Sequence, residues 1–435
     1  MGKFCLSDRL LNKAAVIFVV SLLLLQIFLI QNAGEFTRNQ DQLTYLKFAS
    51  ENVENSSWYP SEINVLNNYS FAPGYVNMLI LFHKIFGTFS GFSYLNVVLS
   101  AILLLEIYIV AKKLFSARVA AFAVLLYCLT YSNWFLPIGY FSDLPFVFFA
   151  FTALTICVAC KDWRWLLFSG IFLAAANWIR PLAIAYFAGC VLFILAERVT
   201  VWRKFLFLSA CTLASILAIG FLTKLNCGVF SFQSTTSGVN LAGSANFKAN
   251  GLVSFLFDKD PFYIQRMPAD WKSLNFKQRD SVLRNIAKEW IIENPVRYIS
   301  QIPLKSAVLF GFDTWSERYE EIKGLSAIRD GNKSKEYIVK YCIGLWFKSI
   351  VFYASLLLFA IYVWKARAKC FSRENILLFV PFMAAAITIP FMVTDRYHYP
   401  LMPLIWIFAA CALAILTKKY FCAPDGASDK KQTAE

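Results

Sequence analysis

Apolar runs separated by short basic turns fill most of this chain. The runs are Ala14–Ile30, Gly91–Ala111, Val119–Leu136, Asp143–Cys160, Trp165–Ile179, Leu182–Leu195, Phe205–Thr223, Ile343–Trp364, Leu377–Val393 and Leu401–Thr417, and many of them reach the ~18–20 residues that carry a helix across a hydrocarbon core. The pattern predicts an all-α polytopic membrane protein with about ten transmembrane helices. Two stretches interrupt it. Residues 32–90 form a first polar loop, closed by a short segment at Pro73–Gly87 whose Asn77, His83 and Lys84 suit a helix lying in the interface. Residues 224–339 carry charges of both signs and hold no convincing span. Within them Asp280 is placed to cap a helix with Leu283, Ile286 and Trp290 on one face, and Asn294-Pro295 to start another. Pro295–Phe312 reads as a helix lying on the membrane with Arg297 and Lys305 reaching head groups, and the Gly- and Ser-rich stretch Ser231–Gly251 as a mobile loop. The chain therefore divides into an N-terminal transmembrane module (1–223), a large outer loop with juxtamembrane helices (224–339), C-terminal transmembrane helices (340–417) and a polar tail (418–435).

The basic turns set the orientation. Lys3, Arg9 and Lys13 precede the first run, and Lys112, Lys113 and Arg118, then Lys161 and Arg164, then Arg198, Arg203 and Lys204, then Lys365, Arg367, Lys369 and Arg373 follow later ones. All fall on one side if Pro73–Gly87 does not cross. Positive charge marks the cytoplasmic side, so both termini are expected there, in a cell (inner) membrane, with both large loops opposite. The first run resembles a signal peptide but lacks a small-x-small cleavage site, which makes it an uncleaved anchor.

Composition narrows the class. At 58% hydrophobic and 17% aromatic residues, the chain is far more apolar than the ~45–50% of a soluble domain. Its formal charge of +15 is accounted for by the orienting turns, so nucleic acid is excluded as a partner. Six of the eleven cysteines lie in apolar runs, and Cys157-x-x-Cys160 has no second pair to complete a metal site. Cys227 and Cys342 share the non-cytoplasmic side and are within the topology for a disulfide. Sequons at Asn55, Asn68 and Asn332 fall on that side too.

Charged groups at helix ends on the outer side are the best pointers to chemistry, because charge at membrane depth is costly and is kept for function or pairing. Asp41 follows the first helix, Asp143 opens the fourth, Arg180 ends the fifth, and Asp395-Arg396-Tyr397-His398-Tyr399-Pro400 joins the last two. Each has an ordinary alternative. Asp41 could be a solvated loop carboxylate, Asp143 a helix cap followed by Pro145, Arg180 a snorkelling cation, and Arg396 and His398 anchors among head groups. Glu106 sits inside the second span near Lys112, away from these groups, and reads as structural.

With Asp41, Pro73-Gly74-Tyr75, Asp143-Leu144-Pro145, Arg180-Pro181, Asn294-Pro295 and the stretch Lys112–Ala120 taken together, the chain resembles the GT-C glycosyltransferases that use polyprenyl-phosphate sugars. Its nearest look is to the protein O-mannosyltransferase and lipid A aminoarabinose transferase branch. The resemblance implies a catalytic aspartate in the first loop at Asp41, through the Asp-x-x-x-Tyr pattern that ends at Tyr45. It implies a second acidic position at Asp143, and lipid-phosphate contacts for Arg180 and Arg396. Tyr45, Tyr75 and His398 are candidates for positioning substrate. Some members carry Asp-Glu in the first loop where this chain has Asp41-Gln42, so a divalent metal is left open and no other cofactor is implied.

The function this predicts is transfer of a sugar, hexosyl or pentosyl, from a polyprenyl-phosphate carrier to a glycan, lipid or protein acceptor on the non-cytoplasmic face. A carboxylate would deprotonate the acceptor, cations would take up charge on the departing phosphate, and direct displacement would invert the anomeric centre. Two other classes fit an all-helical membrane protein with a large outer loop. A lipid-linked glycan polymerase or ligase would depend on arginines and histidine in that loop. A transporter or flippase would place its polar groups at the bilayer midplane on broken helices.

Overall fold

The computed structural model describes residues 7–32, 40–56, 72–197, 201–228, 230–249, 259–313, 343–391 and 393–418, and every regular element among them is helical. The membrane part begins with α1 (Asp8–Asn32), α2 (Gln40–Glu54), α3 (Pro73–Phe86), α4 (Phe92–Leu114), α5 (Ala117–Leu129) and the single turn α6 (Ser132–Phe135). It continues through α7 (Asp143–Ala159), α8 (Leu166–Ile179), α9 (Ala183–Leu195) and α10 (Val201–Cys227). The outer segment supplies α11 (Ser237–Ser244), α12 (Pro261–Ile264), α13 (Phe276–Glu293), α14 (Pro295–Ile299) and α15 (Ile302–Leu309). The chain returns through α16 (Ile350–Ala366), α17 (Phe379–Thr388), a 3-10 turn at Asp395–Leu401 and α18 (Met402–Thr417).

Every expected span coincides with a helix. Among the described residues, five helical stretches are long and apolar enough to cross a membrane unaided: Asp8–Asn32, Phe92–Leu114, Val201–Asn226, Ile350–Lys369 and Asp395–Thr417. The others are shorter apolar helices, among them α5, α7 and α9. They stop early for local reasons. α5 ends at Leu129 and its chain folds into α6, where the expected run to Leu136 breaks. α17 ends at Thr388, because Pro390 two residues on cannot continue a helix.

One continuous apolar core joins α1, α4, α5, α7, α9, α16 and α18. α18 runs through its centre with Trp406, Ile407 and Phe408 fully buried. In a bilayer, burial of this kind acts through close packing, since lipid is as apolar as leucine. Gly170 shows the principle: a Cβ there would meet the Cys211 Cβ and the Thr212 backbone nitrogen at 2.8 Å, so glycine lets α8 and α10 approach backbone to backbone.

The outer segment has its own small core of Val239, Leu241, Tyr263, Leu283, Ile286 and Trp290, so the expected face of α13 is buried. Its caps differ from expectation. Asn275 caps α13 in a reciprocal box with Gln278. Asp280 instead turns across to α11, accepting from the Gly238 and Val239 backbone N–H groups at 2.5 and 3.2 Å. Part of the expected mobile loop is thus an anchored helix. Lys305 does not reach head groups; it is 2% exposed, donates weakly to the Pro390 carbonyl at 3.4 Å and lies over the Tyr298 ring. The Cys342, Asn68, Asn332 and Arg198 positions, and the Cys227 side chain, lie outside the described residues.

The basic turns draw together at one end of the bundle. Asp8 pairs with Arg118 at 2.7 Å, and Glu197 takes both Lys204 and Arg373. Glu106 stays inside the bundle, 5% exposed, and accepts from the Thr152 hydroxyl at 2.5 Å.

Candidate active site

The opposite end is built from a loop that buried polar side chains hold in place. α4 sends Ser93 to the Ile138 carbonyl at 2.9 Å and Asn96 to the Pro137 and Gly139 carbonyls at 3.2 Å each. α1 sends Gln26 to the Asn133 carbonyl at 2.7 Å. An irregular backbone can sit this deep only if its carbonyls find such donors. The fixed loop then presents Tyr140, Phe141, Ser142 and Asp143.

Asp41 comes from a helix, where the sequence suggested a polar loop. α2 carries Gln42, Tyr45, Leu46 and Ala49 at helical spacing, and all four are buried. Gln42 accepts from the Tyr140 backbone N–H at 2.8 Å, which locks α2 to the loop. Asp41 lies in the first turn of α2, where the helix dipole favours a carboxylate. α3 closes the wall: a Cβ on Gly74 would meet the backbone of Trp178 at 3.0 Å, so this glycine lets the start of α3 abut the end of α8, one residue before Arg180.

Four charges from four separate elements meet here. Arg396, from the 3-10 turn, reaches Asp41 Oδ2 at 2.5 Å. Arg180 reaches Asp143 Oδ1 at 2.9 Å and donates through Nε to the Ser142 hydroxyl at 3.2 Å. Ser142 also meets the Tyr45 hydroxyl at 3.4 Å. Tyr397 joins the two arginines, its ring 5.4 Å from one guanidinium and 5.6 Å from the other. The Asp143 side chain is fully buried and those of Arg180 and Arg396 nearly so, while Asp41 is 43% exposed. Asp41 is therefore the acid of the pair that a second substrate can reach.

The cluster retains unused hydrogen-bonding capacity. Arg396 Nε, the Tyr75 hydroxyl and both Asp143 oxygens are buried without a hydrogen-bond partner among the described residues. For Asp143 the Arg180 contact has ion-pair distance without hydrogen-bond alignment. Tyr75 packs edge-on against Tyr45, ring centroids 5.0 Å apart. Burial, with the Asp41 carboxylate adding to it, pushes the Tyr45 hydroxyl up to about 12, so it remains a neutral donor at physiological pH.

Of the residues singled out from sequence, Asp41, Tyr45, Tyr75, Asp143, Arg180 and Arg396 thus converge. His398 does not face the group. It is fully buried, with Nδ1 3.0 Å from the Leu309 carbonyl and Nε2 3.1 Å from Asp313, and it packs on Phe352. Its place is a brace between the last hairpin and the end of α15. Ser142 and Tyr397 were overlooked as participants, although each adjoins a residue already suspected. A divalent cation does not fit the donors present among the described residues. Asp41 and Asp143 each face an arginine, Gln42 is committed to Tyr140, and no group of three or more His, Cys, Asp or Glu converges among the described residues.

The fold is that of an all-α polytopic membrane protein. Residues 71–230 match the family described as dolichyl-phosphate-mannose-protein mannosyltransferase. That stretch runs from α3 through α10 and contains Asp143 and Arg180, whereas Asp41 and Arg396 lie outside it. No curated protein sequence matches the chain. Among solved structures, the Archaeoglobus fulgidus oligosaccharyltransferase complexed with Zn and sulfate aligns at 14% identity and a TM-score of 0.52 over 92% of this chain and 49% of its own. The same organism's archaeal oligosaccharyltransferase AglB, in complex with an inhibitory peptide and a dolichol-phosphate, aligns at 14% identity and a TM-score of 0.50 over 93% and 50%. The chain spans about half the length of these structures, and at such identity the likeness is one of fold. ArnT from Cupriavidus metallidurans bound to undecaprenyl phosphate aligns at 13% identity over 94% of this chain and 78% of its own, with a TM-score of 0.44.

Proposed function

We propose that this protein transfers a sugar from a polyprenyl-phosphate carrier to an acceptor hydroxyl at the loop-bearing end of the bundle. The observation that carries the reading is the convergence of one half-exposed carboxylate, Asp41, with two largely buried arginines, Arg180 and Arg396. A sugar on a lipid phosphate already has its leaving group. What the protein must add is a base for the acceptor and fixed positive charge for the phosphate. Asp41 is the accessible base. Arg180 and Arg396 are the cations, stacked about Tyr397 and backed by Asp143 and Ser142. Asp143, fully buried, serves as a positioning residue for Arg180. The family match of residues 71–230 and a structural relative in complex with a dolichol-phosphate support a lipid-phosphate donor.

The test is to supply the purified full chain in nanodiscs with polyprenyl-monophosphate hexoses and pentoses and, separately, with a polyprenyl-diphosphate oligosaccharide, and to follow release of the lipid phosphate. Turnover of a monophosphate sugar is expected. Turnover of the diphosphate oligosaccharide alone would replace this reading with a glycan polymerase or ligase.

A further inference from the structure

Both arginines of the proposed phosphate site already face carboxylates, and the cluster of two carboxylates and two guanidiniums carries no formal net charge. An arriving lipid phosphate therefore competes with carboxylates for cations. The two pairs are not equivalent. Asp143 is fully buried in an ion pair with Arg180, and taking that cation away would leave a buried carboxylate uncompensated. Asp41 is 43% exposed, so water can replace its guanidinium. Arg396 also keeps a buried Nε–H with no acceptor among the described residues, a donor ready for a second anion.

We propose that Arg396 changes partner during the reaction, held by Asp41 in the resting protein and taken over by the phosphate of the lipid carrier as transfer proceeds. The proposal rests on the function proposed above. Its charge balance closes. A polyprenyl-phosphate sugar is a monoanion. On transfer, the bond from the acceptor oxygen to the anomeric carbon forms and the bond from that carbon to the phosphate oxygen breaks. The electron pair of the broken bond goes to the phosphate, which becomes a dianion, and the acceptor proton goes to Asp41, which becomes neutral. Negative charge thus leaves one neighbour of Arg396 as it arrives at the other, and the buried charge of the cluster plus ligand stays constant. Arg180, kept by Asp143, remains a fixed contact throughout.

Asp41→Asn mimics the protonated acid, so it should resemble the state after transfer and favour the lipid product. The experiment measures equilibrium binding of sugar-free polyprenyl phosphate to the full chain in nanodiscs, for wild type, Asp41→Asn, Arg396→Gln and the double variant. Asp41→Asn is expected to bind about tenfold more tightly, within the ~5–150-fold usual for coupled sites. Arg396→Gln should bind more weakly, and in that background Asp41→Asn should have no further effect. Unchanged or weaker binding by Asp41→Asn overturns the exchange while leaving the functional reading intact. Tightening that persists without Arg396 overturns it too, because simple repulsion between Asp41 and phosphate then accounts for the gain. No binding of polyprenyl phosphate by any of the four proteins overturns the functional reading and the exchange with it. Should Arg396→Gln fail to fold, thermal stabilisation by polyprenyl phosphate compared between wild type and Asp41→Asn decides: a larger shift in the variant is required.

Discussion

Asp41 and Asp143 show how little a side chain's identity says without its surroundings. Both are aspartates beside an arginine, yet one is open and the other sealed. If Asp41 is the base, Asp41→Asn keeps the shape and loses the function. Turnover at saturating donor is then expected to fall by the ~10²–10⁴-fold typical of a lost general base, with the protein still folded. Asp143→Asn leaves Arg180 buried without its counter-charge, so thermal stability should fall along with donor affinity. If Asp143→Asn instead abolishes turnover with stability and donor affinity untouched, the two roles are exchanged. Arg180→Lys should fare little better than Arg180→Ala in apparent donor affinity. A lysine cannot both keep the Nε contact to Ser142 and stack on Tyr397.

At the scale of elements, α3 and α15 make separable predictions. Gly74 lets α3 meet the end of α8, where an added Cβ would lie 3.0 Å from the Trp178 backbone. Gly74→Val should push α3 and its Tyr75 away from the cluster, raising KM for the donor more than it lowers the melting temperature. On α15, burial lowers the Lys305 ammonium to about 8 from 10.5. Below pH 8 the folded and unfolded states both hold the proton, and the folded state carries the cost of burying it. Between about 8 and 10.5 the folded state has released a proton that the unfolded state still binds, so this contribution to stability rises with pH. Lys305→Met should therefore stabilise the protein at neutral pH, on the order of 1–3 kcal/mol. Its advantage in melting temperature over wild type should shrink as the pH is raised from 7 to 10. A constant difference across that range would mean that Lys305 is not held as a buried cation.

For the whole molecule, the contacts Asp8–Arg118 and Glu197–Arg373 join basic turns that are far apart in sequence, at the end opposite Asp41. The clustering of positive charge predicts that this end is cytoplasmic. Single cysteines at positions 112, 164 and 369 should resist a membrane-impermeant thiol reagent applied from outside, and one at 41, where the side chain is 43% exposed, should react. Labelling of positions 41 and 112 from the same side would overturn the topology. The polar cluster sits at one end of the bundle and not midway along broken helices, where an alternating-access carrier would place it.

The helical, membrane-spanning character and nearly every helix position were legible in the sequence, because a bilayer demands long apolar runs and punctuates them with charge. So was the suspicion attached to Asp41, Asp143, Arg180 and Arg396, because charge beside hydrocarbon needs a reason. Hydropathy reads a polar amphipathic helix as loop, so α2 was visible only in the spacing of Gln42, Tyr45, Leu46 and Ala49. Which arginine faces which carboxylate, the burial of Asp143 against the exposure of Asp41, the joint stacking on Tyr397 and the withdrawal of His398 to Asp313 were decided by tertiary structure alone. Each joins residues up to several hundred positions apart in the chain. Such pairings depend on how helices lean and rotate against one another, and one-dimensional patterns of polarity carry no information about that.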